Sequence, residues 1–584
     1  MGMQFITNFI KQHKLSYIIG VCFMLLSSFV QTLFPKVLGT TIDLLKTEHF
    51  SSSLVKMNIL YILLIAIATF ACTYFWRNLV IGNARKLECS LRESLYSHLQ
   101  KLSSEFYNRR KTGDLIAYAI NDISAVRMTF GPASAMVING LVVCAISIYS
   151  MAIIINWRLT LLSLIPIPFI VFFMLGVGKM VQKRFRKVQE DFASISDRVQ
   201  ENIYGIRVIK AYVQEQGENK SFEVLNEQMM QSNLSMVRIS AILSPIIELC
   251  FSVSFVLNLI VGGNMVLQGT ITLGDFIAFN TYLTMIMAPV ISIGRVITIF
   301  QRGMASLKRL DEIFDVVPEI VDGNNLEAPP LKGRIEFNHV SFVYPGSKDK
   351  VLSDINFTIP KGHTLGIVGR TGSGKSTLVN LLLKLYQIES GSIIIDNIDI
   401  QDYSLDTLRS SIGYVPQDNF LFSASIKDNI TFFKTDYQDE DIMEATQNCC
   451  IYESIMDLPD QFDTILGERG VNLSGGQKQR ISIARAIVKD PAILILDDAL
   501  SAIDTITEAE ILKRFKEIRQ GKTTLIISHR VTAVENADTI ITLEQGRIEE
   551  HGTHEELLQK RGLYYEIYME QCKDREKRIE QEAV

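Results

Sequence analysis

The chain lacks the features that mark several protein classes. It has 8 cysteines among 584 residues, and none of them form a Cys-x-x-Cys pair or show zinc-ligand spacing, so isolated thiols are expected. A reducing, cytosolic environment is consistent with such thiols. Its hydrophobic content of 48% and its mean hydropathy of +0.20 are too high for a disordered or nucleic-acid-coating chain. No cleavable signal peptide is expected, because the first apolar run is too long and no cleavage site follows it.

A large charge of one sign is also missing from the chain as a whole, whose net charge is −5. The two halves differ, since residues 1–318 carry a net +9 and residues 319–584 carry −14. An acidic C-terminal half argues against nucleic acid as a partner, because phosphate backbones need a basic face. A basic N-terminal half fits a membrane segment with cytoplasmic loops.

Long apolar runs are present instead, and six of them are long enough to cross a membrane as helices. They lie near residues 15–45, 55–82, 129–155, 157–178, 243–268 and 275–300. Two long polar stretches, 83–128 and 179–242, contain eight and ten Lys or Arg residues, whereas the loop 268–274 contains none. The positive-inside rule therefore predicts that both polar stretches and both termini are cytoplasmic. Their apolar periodicity predicts that the membrane helices continue into the cytoplasm.

The pattern changes after residues 319–333, a linker rich in Pro and Gly. From residue 334 to 572, short β-rich runs alternate with helical segments, which predicts an α/β domain with a largely parallel sheet. Residues 573–584 form a charged tail. The predicted fold class is a membrane domain of six transmembrane helices with long cytoplasmic extensions, residues 1–318, followed by a P-loop α/β domain.

The motif Gly369–Ser376 (GRTGSGKS) follows a predicted strand and precedes a helix, the context that identifies a phosphate-binding P-loop. Its glycines let backbone N–H groups close around phosphates at a helix N-terminus. Lys375 is expected to reach the β- and γ-phosphates of ATP, and Ser376 to ligate Mg²⁺. The residues predicted to bind nucleotide here are Gly369, Arg370, Thr371, Gly372, Ser373, Gly374, Lys375, Ser376 and Thr377.

Two further motifs complete the predicted nucleotide chemistry. The apolar strand AILILD ends at Asp497, which is placed to hold Mg²⁺ through water. The motif LSGGQKQR exposes backbone N–H groups of Ser474, Gly475, Gly476 and Gln477 at a second helix start. One nucleotide does not need two such cradles from one domain. The second cradle is therefore expected to serve a nucleotide held by another copy of the domain.

These motifs and their order resemble the ABC transporter family, in particular exporters that fuse a membrane domain and an ATPase domain in one half-transporter. The resemblance covers nearly the whole chain and implies an ABC ATPase domain over 334–572. It also implies that the tips of the polar stretches, near 111–118 and 204–212, are coupling helices that dock on ATPase domains.

The family pattern also implies roles for single residues. Tyr344, ahead of the P-loop, is similar to the aromatic residue that stacks on adenine, although a core tyrosine of an edge strand is the alternative. Gln417 resembles the loop glutamine that touches Mg²⁺ and senses the membrane domain. His529 resembles the switch histidine that contacts the γ-phosphate, and Ser501–Asp504 resembles the loop that links the two ATP sites.

One position departs from the family pattern. The family usually has Glu after the strand aspartate, where it polarises the attacking water, and this chain has Asp498. The shorter side chain sets the carboxylate back by roughly 1–1.5 Å, and a misplacement of about 1 Å can cost on the order of 10²-fold in rate. Slow hydrolysis is therefore expected at this chain's own P-loop, with the intact LSGGQ completing a competent site on a partner. This favours a heterodimer and resembles the degenerate-site subunit of bacterial heterodimeric multidrug exporters, with a slow homodimer as the alternative.

The expected function is ATP-driven export of hydrophobic or amphipathic small molecules across a cytoplasmic membrane, with Mg²⁺ as the metal and membrane lipid as surroundings. The cell is expected to be bacterial, and nucleic acid is not an expected partner. A lipid or peptide exporter of the same fold stays open, as does a membrane sensor that uses ATP binding as a signal. The six spans exclude a soluble ABC-type ATPase of DNA repair or translation.

Overall fold

The computed structural model describes residues 2–46, 52–323, 329–467, 470 and 472–582. The chain divides into two compact units. A helical unit comprises Met1–Gln100 and Thr112–Val316, and an α/β unit comprises Lys101–Lys111 and Val317–Val584.

Six helices of the helical unit are long and apolar enough to cross a membrane, which confirms the predicted spans. Their bounds are Lys14–Lys46, Ser52–Lys101, Thr112–Leu164, Pro166–Tyr204, Glu215–Leu267 and Leu273–Phe314. A further amphipathic helix, Gly2–Gln12, precedes the first. Several spans run past 30 residues, so they extend beyond the hydrocarbon layer, as the periodicity of the polar stretches predicts.

Local irregularities interrupt the second and third spans. Wider π-type turns lie at Arg77–Ile81, Tyr118–Asp122, Thr129–Ala133 and Ser150–Asn156. The last of these ends at Asn156, whose side chain accepts hydrogen bonds from the backbone N–H groups of Arg158 and Leu159 at 2.9 and 3.2 Å. This cap starts the helix Trp157–Leu164, and Pro166 begins the next span.

The first cytoplasmic reversal lies earlier than the sequence suggests. The tip was expected near 111–118, but helix Thr112–Ala117 already belongs to the third span, and the breaks fall at Leu102–Ser103 and Arg110–Lys111 around the short helix Ser104–Arg109. Gly113 suggested a turn, yet glycine is tolerated in the first turn of a helix. The second reversal runs over Gly205 and the short helix Ile206–Ala211 to Glu215.

A buried polar link joins the third and sixth spans near their cytoplasmic ends. The Asp122 carboxylate accepts hydrogen bonds from the Arg309 guanidinium and, at 2.7 Å, from the Ser306 hydroxyl. Its side chain is only 9% exposed. This pairing resists separation of the two helices, because Asp122 left alone would be a buried unpaired charge.

The α/β unit contains two sheets. Its strands in chain order are β1 Ile335–Val343, β2 Lys350–Ile359, β3 Thr364–Val368, β4 Ser390–Ile395, β5 Ile398–Asp399, β6 Ile412–Val415, β7 Ile493–Asp497, β8 Thr523–Ile527, β9 Thr539–Glu544 and β10 Arg547–Gly552. The order β2-β1-β4-β5 forms an antiparallel sheet. The order β10-β9-β3-β8-β7-β6 forms the central sheet, which is parallel except for β10.

Helices cover the central sheet, and apolar clusters form the core of the α/β unit. From residue 375 onward, the helices of five residues or more are Lys375–Leu382, Leu405–Ser410, Ile426–Thr431, Asp439–Asn448, Tyr452–Met456, Gly475–Ile487, Thr505–Ile518, His554–Lys560 and Leu563–Glu582. Strands β7 and β8 are buried along their whole length, as expected for a parallel sheet covered on both faces. The charged tail continues the last helix to Glu582, and residues 324–328 of the linker lie outside the described residues.

Candidate nucleotide site

The parallel sheet collects the predicted site residues at one edge. Strands β3, β8, β7 and β6 are adjacent, so the segments that follow them emerge side by side. The segments after β3, β8 and β6 carry the P-loop, His529 and Gln417, and Asp497 is the last residue of β7. Ligands of open α/β sheets bind outside the carboxyl ends of the strands, where these loops lie.

The backbone of the P-loop needs its glycines. Gly372 and Gly374 have φ values of +83° and +101°, which glycine adopts without steric cost. A Cβ at Gly369 would lie 2.2 Å from the Leu543 carbonyl oxygen, so the loop also packs too closely for another residue. The helix Lys375–Leu382 starts directly after Gly374 and presents its free N–H groups at the loop.

Lys375 is held inside this loop. Its ammonium donates hydrogen bonds to the carbonyl oxygens of Gly369 and Arg370 at 2.8 and 2.9 Å, and the residue is 6% exposed. Burial lowers the pKa of Lys375, and the charges of Asp497 and Asp498 oppose that shift. The arrangement holds a cation against the backbone of the P-loop, where it can meet a bound triphosphate.

Ser376 and Asp497 form an oxygen pair beside Lys375. The Ser376 hydroxyl donates to Asp497 Oδ1 at 3.0 Å, and Asp497 is 2% exposed. Burial raises the pKa of the Asp497 carboxyl, while the hydrogen bond from Ser376 and the charge of Lys375 act in the opposite direction. A hydroxyl and a carboxylate beside a phosphate cradle suit Mg²⁺, which takes few protein ligands together with phosphate oxygens.

Tyr344 lies immediately after β1 and is half-buried. Its hydroxyl hydrogen-bonds the Thr377 hydroxyl at 3.1 Å, and its ring meets the edges of Phe342 and Tyr386. The Tyr386 hydroxyl accepts a hydrogen bond from Asn108 at 3.0 Å, in the segment Lys101–Lys111 of the same unit. The ring is thus fixed next to the P-loop helix, where an adenine ring can stack on it.

His529 and Gln417 lie on either side of Asp497 in strand order. His529 follows β8 and is half-buried, and burial together with the nearby Lys375 lowers its pKa below 6.5. Gln417 follows β6, and its side chain is exposed. His529 is therefore a neutral hydrogen-bonding group near neutral pH, whereas Gln417 is free to meet a ligand.

The LSGGQ segment starts the helix Gly475–Ile487, here called the signature helix. Ser474 is its N-cap, with Ser474 Oγ accepting from the Gln477 N–H at 3.2 Å and Gln477 Oε1 accepting from the Ser474 N–H at 2.9 Å. This capping box leaves the N–H groups of Gly475 and Gly476 at an exposed helix start. In the described part of the chain, no hydrogen bond joins Ser474–Gln477 to the P-loop.

Asp498 adopts a left-handed backbone conformation, with φ of +49°. Its N–H donates to the Ile527 carbonyl oxygen at 2.8 Å, and its own carbonyl oxygen accepts from the Ser501 hydroxyl at 3.0 Å. Aspartate tolerates this region better than most residues. The turn directs the chain from β7 into Ser501–Asp504, here called the linking loop.

Comparison with known proteins decides the family. Residues 17–290 match the profile described as ABC transporter transmembrane region, and residues 352–501 match the profile described as ABC transporter. The chain is 39% identical over 563 residues to the probable multidrug resistance ABC transporter ATP-binding/permease protein YheI of Bacillus subtilis, covering 96% of both chains. The chain belongs to the ABC transporter family.

Further relatives widen the range of exporters to which this ABC transporter is similar. It is 35% identical over 527 residues to the ATP-dependent lipid A-core flippase of Syntrophus aciditrophicus, covering 90% of this chain and 87% of the relative. The solved structure of a bacterial Atm1-family ABC exporter with ATP bound matches with a TM-score of 0.80 at 25% identity, covering 96% of this chain and 99% of that one. The chain is thus an ABC exporter half-transporter of the bacterial cytoplasmic membrane, with its transport ATPase domain in the cytoplasm.

Sequence reasoning missed two residues that this ABC transporter places around the linking loop. Gln479 and Arg530 both hydrogen-bond it, from the signature helix and from the position after His529. A signal for Gln479 exists in the sequence, because a glutamine on the apolar side of an otherwise amphipathic helix needs a buried partner. Arg530 has no such signal, since an arginine after a strand is ordinarily a solvated residue.

Proposed function

We propose that this chain exports hydrophobic or amphipathic small molecules, driven by ATP that it binds at the P-loop together with Mg²⁺. The observation that carries the proposal is the group of buried Lys375 and Asp497 with the half-buried Ser376, in a chain that also has six membrane helices. The predicted ATP site and the membrane helices therefore belong to the same chain. The multidrug relative supports the substrate class.

A cavity in the helical unit supports the same substrate class. It has a volume of about 720 Å³, within the range of small-molecule sites, and lies between the first, second and sixth membrane helices. Its lining is mainly apolar, with the amides of Gln31 and Asn280 and the hydroxyls of Thr69, Thr281 and Thr284. None of its described lining residues is ionisable. A neutral or weakly polar amphipathic molecule fits such a wall better than a highly charged one.

A lipid is the second candidate substrate, because the flippase relative covers most of this chain. The uncharged cavity lining accommodates acyl chains, but it offers no cation for a phosphate headgroup. We therefore place lipid export second to export of small amphipathic molecules.

We further propose that hydrolysis at this chain's own P-loop is slow and that the working transporter is a dimer with a different half-transporter. Asp498 follows Asp497 where a glutamate is expected, and its left-handed backbone is anchored by Ile527 and Ser501. A backbone fixed in this way cannot readily move forward to make up for the missing methylene. A homodimer with two slow sites is the alternative arrangement.

Transport in inside-out membrane vesicles tests the proposal. We expect ATP-dependent accumulation of an amphipathic dye with the wild-type transporter and none with Lys375→Ala. ATP hydrolysis without movement of dye or of a fluorescent lipid would contradict export and favour the sensor. Movement of the fluorescent lipid alone would favour the lipid exporter.

A further inference from the structure

Gln479 is a buried polar side chain with a complete set of partners. It is 3% exposed and lies in the signature helix, two residues after the LSGGQ segment. Its Nε2 donates to the Ser501 hydroxyl at 3.2 Å and to the Asp498 carbonyl oxygen at 3.4 Å. Its Oε1 accepts from the Ala502 N–H at 2.8 Å. One amide thus bridges the signature helix, the linking loop and the residue that follows β7.

The start of the signature helix is packed against the same loop. A Cβ at Gly476 would lie 2.9 Å from the Ala502 carbonyl oxygen, and a Cβ at Gly475 would lie 3.6 Å from the Ala502 side chain. The first turn of the helix and the loop are therefore in direct contact. A displacement of that turn must move Ala502 or break the hydrogen bond between Ala502 and Gln479.

Arg530 holds the linking loop from the other side. Its guanidinium donates to the carbonyl oxygens of Ser501 and Ile503 at 2.8 and 3.3 Å. It also pairs at 3.0 Å with Glu508, whose side chain is 3% exposed. Because Arg530 follows His529 directly, the loop lies between the signature helix and the segment that carries the switch histidine.

The backbone of Asp498 depends on both sides of this arrangement. Its N–H is bound to β8 through Ile527, and its carbonyl oxygen receives the hydroxyl of Ser501 and the amide of Gln479. With φ of +49°, its backbone lies in a sparsely populated region, and these partners hold it there. Gln479 is the partner that connects it to the signature helix.

We propose that Gln479 is a positioning residue that makes the placement of Asp498 depend on the nucleotide bound at Ser474–Gln477 of the same chain. That nucleotide belongs to the other ATP site, so Gln479 connects the two sites through one side chain. The assignment rests on the proposed function, because it requires an ATP-hydrolysing dimer. It goes further by naming the residue that transmits occupancy of one site to the other.

The test uses the full-length chain purified alone in lipid nanodiscs, where every ATP site contains its own P-loop and Asp498, and compares its steady-state ATPase with that of Gln479→Glu. This change keeps the size of the side chain and the bond from Ala502, but it replaces the donor to Ser501 and Asp498 with an acceptor. We expect kcat to fall at least about 10-fold, with KM for ATP within about 3-fold of wild type. Misplacement of Asp498 lowers the rate, whereas the contacts that bind ATP are kept.

Asn429→Asp is the matched control. Asn429 is a fully buried amide of the same unit that donates to Phe422 and Ser425 and is bound by Arg485, away from the linking loop. The change again turns a buried amide donor into a carboxylate, so it should lower the melting temperature comparably and leave kcat per folded transporter near wild type. An equal loss of kcat in the two variants would overturn the proposal.

Ser501→Ala keeps the test decisive if Gln479→Glu folds poorly. It removes only the hydroxyl that lies between Gln479 and the Asp498 carbonyl oxygen. We expect it to lower kcat without raising KM, and the double variant to be no slower than Gln479→Glu alone. A kcat of Ser501→Ala within 2-fold of wild type, or fully additive effects, would overturn the proposal. A wild-type protein without ATPase activity would instead contradict the proposed function.

Discussion

Three ionisable residues at the nucleotide site are shielded from water by the fold: Lys375 and Asp497 are buried, and His529 is half-buried. Lys375 is surrounded by backbone carbonyl groups, Asp497 by a hydroxyl and the strand core, and His529 by the P-loop. Burial disfavours the charged form of each group. A bound anionic phosphate would stabilise the charged form of Lys375, and a divalent cation would stabilise the charged form of Asp497. The residues are thus arranged for a charged ligand.

In the chain assayed alone, where every ATP site contains its own P-loop, replacing Lys375 should abolish hydrolysis without unfolding the domain. Removal of one electrostatic contact to a reacting group typically costs about 10² to 10³ in rate, and we expect at least 10²-fold for Lys375→Ala. Lys489→Ala is the control, because that ammonium also binds two backbone carbonyl oxygens, of Arg409 and Ile412, but lies outside the P-loop. Comparable loss of ATPase activity in the two variants would contradict the role of Lys375.

The lowered pKa of His529 determines the acid side of the expected pH profile of kcat/KM for ATP. Because burial and Lys375 lower its pKa below 6.5, the imidazole is neutral above that pH, and kcat/KM for ATP should be flat there and fall below it. The folded chain binds this proton less tightly than the unfolded chain, so acidification below pH 6.5 also favours unfolding.

The control for this profile is a histidine on the domain surface. His529→Gln should remove the fall in kcat/KM for ATP below pH 6.5. His339→Gln should keep that fall, because His339 pairs with Asp354 at an exposed site. A wild-type acid limb with its midpoint above pH 6.5 would show that another group controls the rate.

Among the elements, the signature helix has two roles at one terminus. Its capping box fixes the helix start, and the same Ser474 hydroxyl and glycine N–H groups face a nucleotide in the proposed dimer. Loss of an N-cap side chain costs about 1 kcal/mol in stability. Loss of a phosphate contact costs activity as well.

These two effects can be separated with a second capping box. Thr553 caps the helix His554–Lys560 with Glu556 in the same way, outside the proposed site. We expect Ser474→Ala and Thr553→Ala to lower the melting temperature to a similar, small extent, and only Ser474→Ala to lower ATPase activity, by about 10-fold or more. Equal activities of the two variants would mean that Ser474 only caps its helix.

Elements with strong periodicity were predictable from the sequence, and contacts between distant segments were not. The six apolar runs and the motif at Gly369–Ser376 predict spans and a P-loop because each signal is local. Gln479 binds residues about twenty positions away, so its role depends on packing that no local pattern contains. The first cytoplasmic tip was misplaced because Gly113 suits both a turn and the first turn of a helix.

At the scale of the whole molecule, the polar groups of the membrane cavity should set substrate affinity. Gln31→Leu or Thr69→Val removes a hydrogen-bonding group, and one hydrogen bond contributes about 0.5–1.5 kcal/mol. We therefore expect KM for a transported amphipathic dye to rise about 2- to 10-fold.

Thr40→Val is the control for the cavity variants. Thr40 lies in the same membrane helix as Gln31, but its hydroxyl binds the Val37 carbonyl oxygen and it is not among the cavity's lining residues. It should leave KM for the dye unchanged. If all three variants behave alike, the dye binds elsewhere.

The most direct test measures ATP hydrolysis and dye transport in the same proteoliposomes, for the wild type and for Asp498→Glu. The longer side chain restores the expected reach of the carboxylate, so hydrolysis should rise, by up to about 10²-fold, and dye transport should rise with it. Unchanged hydrolysis would contradict the slow site at Asp498. Faster hydrolysis with unchanged transport would contradict the coupling of this P-loop to export.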